Sequence, residues 1–158
     1  MPVLRKAALE DYEQILRMKL QVHNLHVNAK PEFYKSVEVP LSFQQYQSDL
    51  ENGAVAYYVL CDNDMVLGYA VTTTRTICGH PVIHDRKILY IEEFCVDEQY
   101  RGAGVGTELF RQIEARALSQ GCDAIELDVW TFNEPARTFY VKMGMECARI
   151  RMHKALDS

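Results

Sequence analysis

The segment 88–106, ILYIEEFCVDEQYRGAGVG, carries an apolar stretch into a short acidic turn, then through three glycines at alternate positions. Its apolar and β-branched first half, 88–96, predicts an interior strand. From 104 to 118, apolar residues at 105, 109, 110, 113 and 117 predict a long amphipathic helix, with Gly121 as its stop. A strand that feeds a helix through glycines is a strong constraint on what can sit between them. Gly102, Gly104 and Gly106 let the backbone approach a ligand closely, and the first amides of a helix have no partner within it. A phosphate fits such a site, and Arg101 adds a charged fork for the same group. Helix packing alone would account for one glycine; three beside an arginine point to phosphate binding.

Two common phosphate sites are excluded. No Lys-Ser or Lys-Thr pair follows the glycines, so the loop is not that of a nucleotide-hydrolysing protein. Gly-Ala-Gly-Val-Gly also lacks the Gly-x-Gly-x-x-Gly spacing of a dinucleotide site, and too little chain follows for a complete doubly wound domain.

The 158 residues suit one packed domain spanning 1–158. Val3 and Leu4 open a short edge strand, and apolar spacing from Ala8 to Leu20 predicts a helix, with Lys19 in its stripe and Asp11 near its start. Residues 23–40, bracketed by Pro31 and Pro40, read as a turn or short helix, and 42–51 as a helix ending at Gly53. Strands at 54–61 and 65–74 flank Asp62-Asn63-Asp64, a hairpin signal. Beyond 77–86, a loop opened by Gly79-His80-Pro81, and the central segment, 124–130 reads as a strand, 134–143 as a helix and 147–153 as a last strand. No Pro/Gly/Ser-rich linker or repeat interrupts the order.

At this point a family resemblance enters. Arg101-Gly102-Ala103-Gly104-Val105-Gly106 resembles the Arg-x-x-Gly-x-Gly acetyl-CoA signature of the GNAT superfamily of N-acetyltransferases. The preceding Glu93-Phe94-Cys95-Val96-Asp97 resembles that family's core strand. Asn133-Glu134-Pro135-Ala136-Arg137-Thr138-Phe139-Tyr140, then Lys142-Met143-Gly144-Met145, is similar to its downstream Asn, Ala, Phe-Tyr and Gly-Phe landmarks, with Met145 where an aromatic is more usual. The resemblance implies an α/β fold: a mixed, twisted central sheet with helices on both faces, its strands splaying at the cofactor site. It implies that backbone groups of Phe94, Cys95 and Val96 meet the pantetheine arm and that Arg101, Gly102, Ala103, Gly104, Val105 and Gly106 meet the pyrophosphate. Asn133 and Tyr140 are implied near the thiol end, and a homodimer is implied as well.

The family reaction is direct acetyl transfer to an amine, which must lose a proton before it attacks. Among relatives resembling diamine acetyltransferases, the first acid of the Ile-Glu-acid-Phe segment is the base, which falls on Glu92. Strict alternation places residues 90, 92, 94 and 96 on one face of the strand and 91, 93 and 95 on the other, while a bulge would bring in Glu93 as rival. Either glutamate can instead bind a cationic substrate or serve as a structural hydrogen-bond partner. Tyr140 is the candidate general acid or thiol ligand, the Val96 amide a candidate oxyanion donor, and Asn133 equally a helix N-cap. Cys95, inside an apolar strand, reads as a packed thiol rather than a nucleophile. His23 and His26 share a helical face, but no zinc spacing occurs and no metal is expected.

The expected acceptor is a small cationic amine. Alternatives are a peptide or protein amine, and a non-catalytic acyl-CoA-binding regulator. A formal charge of −5 argues against nucleic-acid coating, and the acids concentrate before residue 99 while the last 60 residues balance. Five cysteines without a close pair suggest reduced, mostly buried thiols. No apolar run is long enough to span a bilayer and the start lacks a secretory core, so a cytoplasmic protein without membrane partners is expected.

Overall fold

Asn63, at φ 55°, turns the chain back between β2 (Ala56–Asp62) and β3 (Met65–Ile77), where Asp62 lies opposite Met65. Asn tolerates that left-handed backbone because its short amide side chain bonds locally. A computed structural model describes residues 1–157 of the protein. Contacts divide it into two compact units, residues 1–128 and 129–158.

The first unit is built on a five-stranded sheet in the order β1-β2-β3-β4-β5, with β1 (Val3–Lys6) at one edge and β5 (Ala124–Leu127) at the other. β4 (Arg86–Val96) runs antiparallel to β3 and parallel to β5, so the sheet is mixed. α1 (Tyr12–Ala29) and α2 (Phe43–Asn52) cover one face. There Ile15, Met18 and Tyr46, all fully buried, pack with Tyr57, Val59, Tyr69, Val71 and Cys95 of the strands. α3 (Val105–Ser119) covers the other face: the Phe110 ring lies 6.3 Å from that of Phe94, and Arg116 lies 4.9 Å over Tyr58. The expected mixed sheet with helices on both faces is therefore observed.

Polar groups buried under α1 and α2 find partners, as a low-dielectric interior requires. Tyr12 donates to the Leu41 carbonyl and Tyr46 to that of Ala8, each at 2.6 Å, and Tyr57 donates to Asp49 at 2.8 Å. Asp11 does stand at the start of α1, but its carboxylate reaches backward. It accepts from the Ala8 N–H at 2.7 Å and takes both arms of Arg5 at 2.7 and 2.9 Å, pinning β1 to the helix.

α1 outruns its expected end because His23 and His26 pack against the segment that follows it; it stops at Lys30, since the residue before a proline disfavours helix. β5 is shorter than expected. In the second unit, α4 (Glu134–Lys142) forms as read, with Asn133 capping it by accepting the Ala136 N–H at 3.3 Å. The expected strand over 147–153 does not form. The segment carries no ladder, Ile150 and Met152 are exposed, and alternation without a paired edge does not make a strand. Of the five cysteines, all free thiols, only Cys61 and Cys95 are buried; Cys78 and Cys147 lie exposed in irregular segments, so the expectation of mostly buried thiols fails.

Gly68 of β3 lies against the backbone of β4 with no room for a side chain. A Cβ placed there would sit 2.8 Å from the Cys95 carbonyl oxygen, a backbone atom with no freedom to swing away. Gly68→Ala is expected to lower stability by about 1–3 kcal/mol, as overpacking does. Urea unfolding checks this, and an unchanged midpoint contradicts the tight contact.

Candidate active site

Along most of β4 each residue faces one residue of β3. At one point the register slips: Ile91 faces Thr72 and Glu93 faces Val71, leaving Glu92 as an extra residue. A bulge of this kind turns the side-chain alternation by one. Tyr90, opposite Thr73, and Cys95, opposite Tyr69, both lie on the α1 side of the sheet, although one number is even and the other odd. Glu92 and Glu93 are both on that side as well. Glu92 accepts from the Thr73 hydroxyl at 2.9 Å and lies 3.7 Å from Arg75, whose guanidinium sits 3.6 Å over the Tyr90 ring. Glu93 accepts from Tyr69 at 2.9 Å and from Lys19 of α1 at 2.7 Å. Strict alternation, which separates the two glutamates, is therefore corrected: the bulge puts both carboxylates on one face. Phe94 consequently turns to the α3 side.

The two carboxylates differ in their surroundings. Glu93 is held by a helix and a strand together, one oxygen taking both donors. Glu92 is the outer of the pair, with 37% of its side chain exposed. Burial, then the nearby Glu93 and Cys95, raises the Tyr69 hydroxyl well above its ordinary value, so this phenol stays a proton donor to Glu93.

Past the bulge, β4 loses its parallel neighbour. Among the described residues the β4–β5 ladder ends with Ile91 opposite Leu127, and residues 92–96 extend beyond it. Residues 94–96 thus carry one sheet edge that β5 does not cover.

The chain then turns through Asp97, a fully buried carboxylate that accepts the Gln99 N–H at 3.1 Å and pairs with Arg17 of α1 at 2.5 Å. Gly102 and Gly104 follow at φ 82° and 80°, a backbone region that other residues enter only with strain, and a Cβ on either would meet nothing within 4 Å. Conformation, not crowding, is what demands glycine here. The first bond within α3 runs from the Glu108 N–H to the Gly104 carbonyl, so the amides of Val105, Gly106 and Thr107 have no partner inside the helix. Arg101 is exposed, its Nε 3.4 Å from the Val96 carbonyl oxygen. Turn, amides and guanidinium together are the groups that a diphosphate needs.

Outside the loop, an open cleft of about 480 Å³ lies between α1 and the segment that follows it, lined by Leu20, Asn24, Ser36, Val37 and Glu38. His23 and His26 help to hold that segment: His23 Nε2 is 2.7 Å from the Lys35 carbonyl, and His26 stacks on Tyr34 at 5.0 Å. Burial and the neighbouring His23 lower the His26 pKa, which keeps the stacked ring neutral near pH 7.

The structure thus brings together Glu92, Glu93, Phe94, Cys95, Val96 and residues 101–106 on consecutive parts of one unit. Asn133 and Tyr140 belong to the second unit, where Asn133 caps α4 and the Tyr140 ring lies 5.4 Å from that of Phe139. Sequence reasoning missed Arg17, Lys19, Thr73 and Arg75. Lys19 had a readable signal, a cation inside an apolar helical stripe.

Comparison with known proteins gives the family. The sequence profile of the Acetyltransferase (GNAT) family matches residues 19–145, most of the chain. The chain belongs to that family. The solved structure of a mutant of the BH1408 protein from Bacillus halodurans superposes with a TM-score of 0.91 at 33% identity, over 98% of this chain and 99% of that one. The N-acetyltransferase YdgE of Bacillus subtilis is 34% identical over 74 residues, 47% of each chain. Mouse thialysine N-epsilon-acetyltransferase is 34% identical over 58 residues, 37% of this chain and 34% of its own length. The matches thus span less than half the length of these two curated relatives. No described helix is long and apolar enough to cross a membrane.

Cys95 tests the direct-transfer chemistry of such a site. It is buried, donates weakly to the Met18 carbonyl at 3.5 Å, and burial pushes its thiol up to about 12, so it is protonated near neutrality. Iodoacetamide labelling of Cys95 in the folded protein is expected to be negligible at pH 7–8 and to rise only as the pH approaches 12. Peptide mass mapping checks this; rapid labelling at pH 7, or an acetyl group carried on Cys95, contradicts a packed thiol.

Proposed function

We propose that the protein transfers an acetyl group from acetyl-CoA to the primary amine of a small cationic acceptor. The observation that carries this reading is the continuity of β4: one strand presents two carboxylates on its α1 face and leads directly into a diphosphate-shaped loop at a helix N-terminus. Arg101, the backbone of 102–104 and the first amides of α3 would hold the pyrophosphate, and the uncovered edge of 94–96 would hold the pantetheine arm. Acetyl-CoA supplies the activated acetyl thioester when bound.

This chain's residues then manage protons and position. Glu92, directly or through a water, takes the proton that an ammonium must lose before its nitrogen can attack. Glu93, fixed by Lys19 and Tyr69, stands beside it as a further acceptor for the amine's N–H groups. The Val96 amide serves as an oxyanion donor, and Tyr140 returns a proton to the departing thiolate. Asn133 orders the cofactor arm while capping α4. The cleft beside α1 suits the rest of the acceptor, with Leu20 and Val37 against methylenes and Glu38 facing a distal ammonium. The likeness to a thialysine N-epsilon-acetyltransferase supports an amine on a short aliphatic stem.

Glu92→Gln is expected to lower kcat by roughly 100-fold near neutral pH with acetyl-CoA KM little changed, the usual scale for loss of a general base. Unchanged kcat and pH profile would remove Glu92 from that role. Tyr140→Phe should lower transfer more than CoA binding, whereas equal loss of both indicates a structural tyrosine.

Glu38→Gln gives a separate reading of the cleft. Loss of a charge-assisted contact should raise the KM for a diamine by roughly tenfold and that for a monoamine far less. Equal effects on both acceptors contradict the assignment of Glu38 to a distal ammonium.

A further inference from the structure

Asp97 lies where β4 gives way to the diphosphate loop, and nothing in the proposed chemistry uses it. Its carboxylate is fully buried, yet it carries a charge whose main partner comes from a distant element, Arg17 in α1, at 2.5 Å. Burial by itself would raise the Asp97 carboxyl; Arg17 and the Gln99 N–H outweigh it and hold the group below its ordinary value, so it is ionised at neutral pH. Around this pair the turn is tied on every side. The Asp97 N–H donates to the Leu67 carbonyl at 2.9 Å, and the Tyr100 N–H donates to the Asp97 carbonyl at 2.9 Å. The Glu98 N–H donates to the side chain of Gln21, one helical turn beyond Arg17, at 3.2 Å. Arg101, the first residue of the loop, follows immediately.

We propose that Arg17 is a positioning residue for cofactor binding: acting through Asp97, and with Gln21 beside it, it sets the direction in which the chain enters Arg101–Gly104 without itself touching the cofactor. This rests on the reading of that loop as the CoA diphosphate site. The physical reason is that Gly102 and Gly104 supply freedom but no direction. A loop of freely rotating residues binds a diphosphate well only if its entering end is held, and the permanently charged guanidinium of Arg17 holds it from a rigid helix. A buried carboxylate deprived of that partner would relax toward water and carry the loop with it.

The test is calorimetric titration of the full chain with CoA, alongside steady-state kinetics, for wild type, Arg17→Met and Arg17→Lys. Arg17→Met is expected to weaken CoA binding by roughly tenfold and raise acetyl-CoA KM in step, with amine KM unchanged, as misplacement of a binding group does. Arg17→Lys should recover most of the affinity. Unchanged CoA affinity in Arg17→Met, or a parallel rise in both KM values, overturns the proposal. If Arg17→Met does not fold, Asp97→Asn decides by the same split, since it keeps the shape and the cap on Gln99 but loses the charge. Wild-type protein that binds CoA without transferring acetyl defeats the catalytic reading alone, and the affinities still decide the role of Arg17. Wild-type protein with no CoA affinity overturns both.

Discussion

One extra residue in β4 determines how the site is arranged. Without the bulge at Glu92, regular alternation would place Glu92 and Glu93 on opposite faces of the sheet, and Phe94 and Cys95 would exchange surroundings. With it, both carboxylates lie toward α1, Cys95 enters the core under that helix, and Phe94 packs on Phe110 of α3. The same irregularity falls just beyond the point where the β4–β5 ladder ends. A single local departure from regular pairing thus coincides with the strand edge that β5 leaves unpaired, the acidic face and the approach to the loop.

α1 is the element that holds this arrangement together. Arg17 reaches Asp97, Lys19 reaches Glu93, Gln21 reaches the Glu98 amide, and the Met18 carbonyl accepts from Cys95. Four polar links from one helix thereby fix the end of β4 and the turn that follows it. The same helix supplies Leu20 and Asn24 to the neighbouring cleft. Charge is sorted along the way: acids gather at the bulge and cleft, while the exposed Arg101 stands beside the first amides of α3 in a chain of net charge −5. A global acidic balance is compatible with binding a polyanion when the anion site is built from backbone and one arginine.

Much of this was legible in residue order. Alternate glycines beside Arg101, after an apolar strand and before a periodic helix, located the loop, because only a few physical uses require glycine at that spacing. Gly53 marked the end of α2, and the Asp62-Asn63-Asp64 hairpin joined β2 to β3 as read. The face of Glu92 was not legible. Periodicity assumes regular pairing, and a bulge depends on how β3 and β4 settle against each other across many residues. Arg17 and Asp97 escaped for a related reason: they are 80 positions apart in the chain, and a charge destined for burial looks like any surface charge until its partner arrives. Residues 147–153 failed in the opposite direction, since alternation there has no ladder to express it.

The most direct measurement is acetyl transfer itself: the protein incubated with acetyl-CoA and a panel of mono-, di- and polyamines, amino acids, aminoglycosides and peptides. Mass spectrometry reads the acceptors and a thiol assay reads released CoA. One acetyl gained for each CoA thiol released, with small cationic amines turned over first, is the expected result. Thermal stabilisation by acetyl-CoA with no acetyl gained by any amine contradicts an enzyme and describes a binding protein instead.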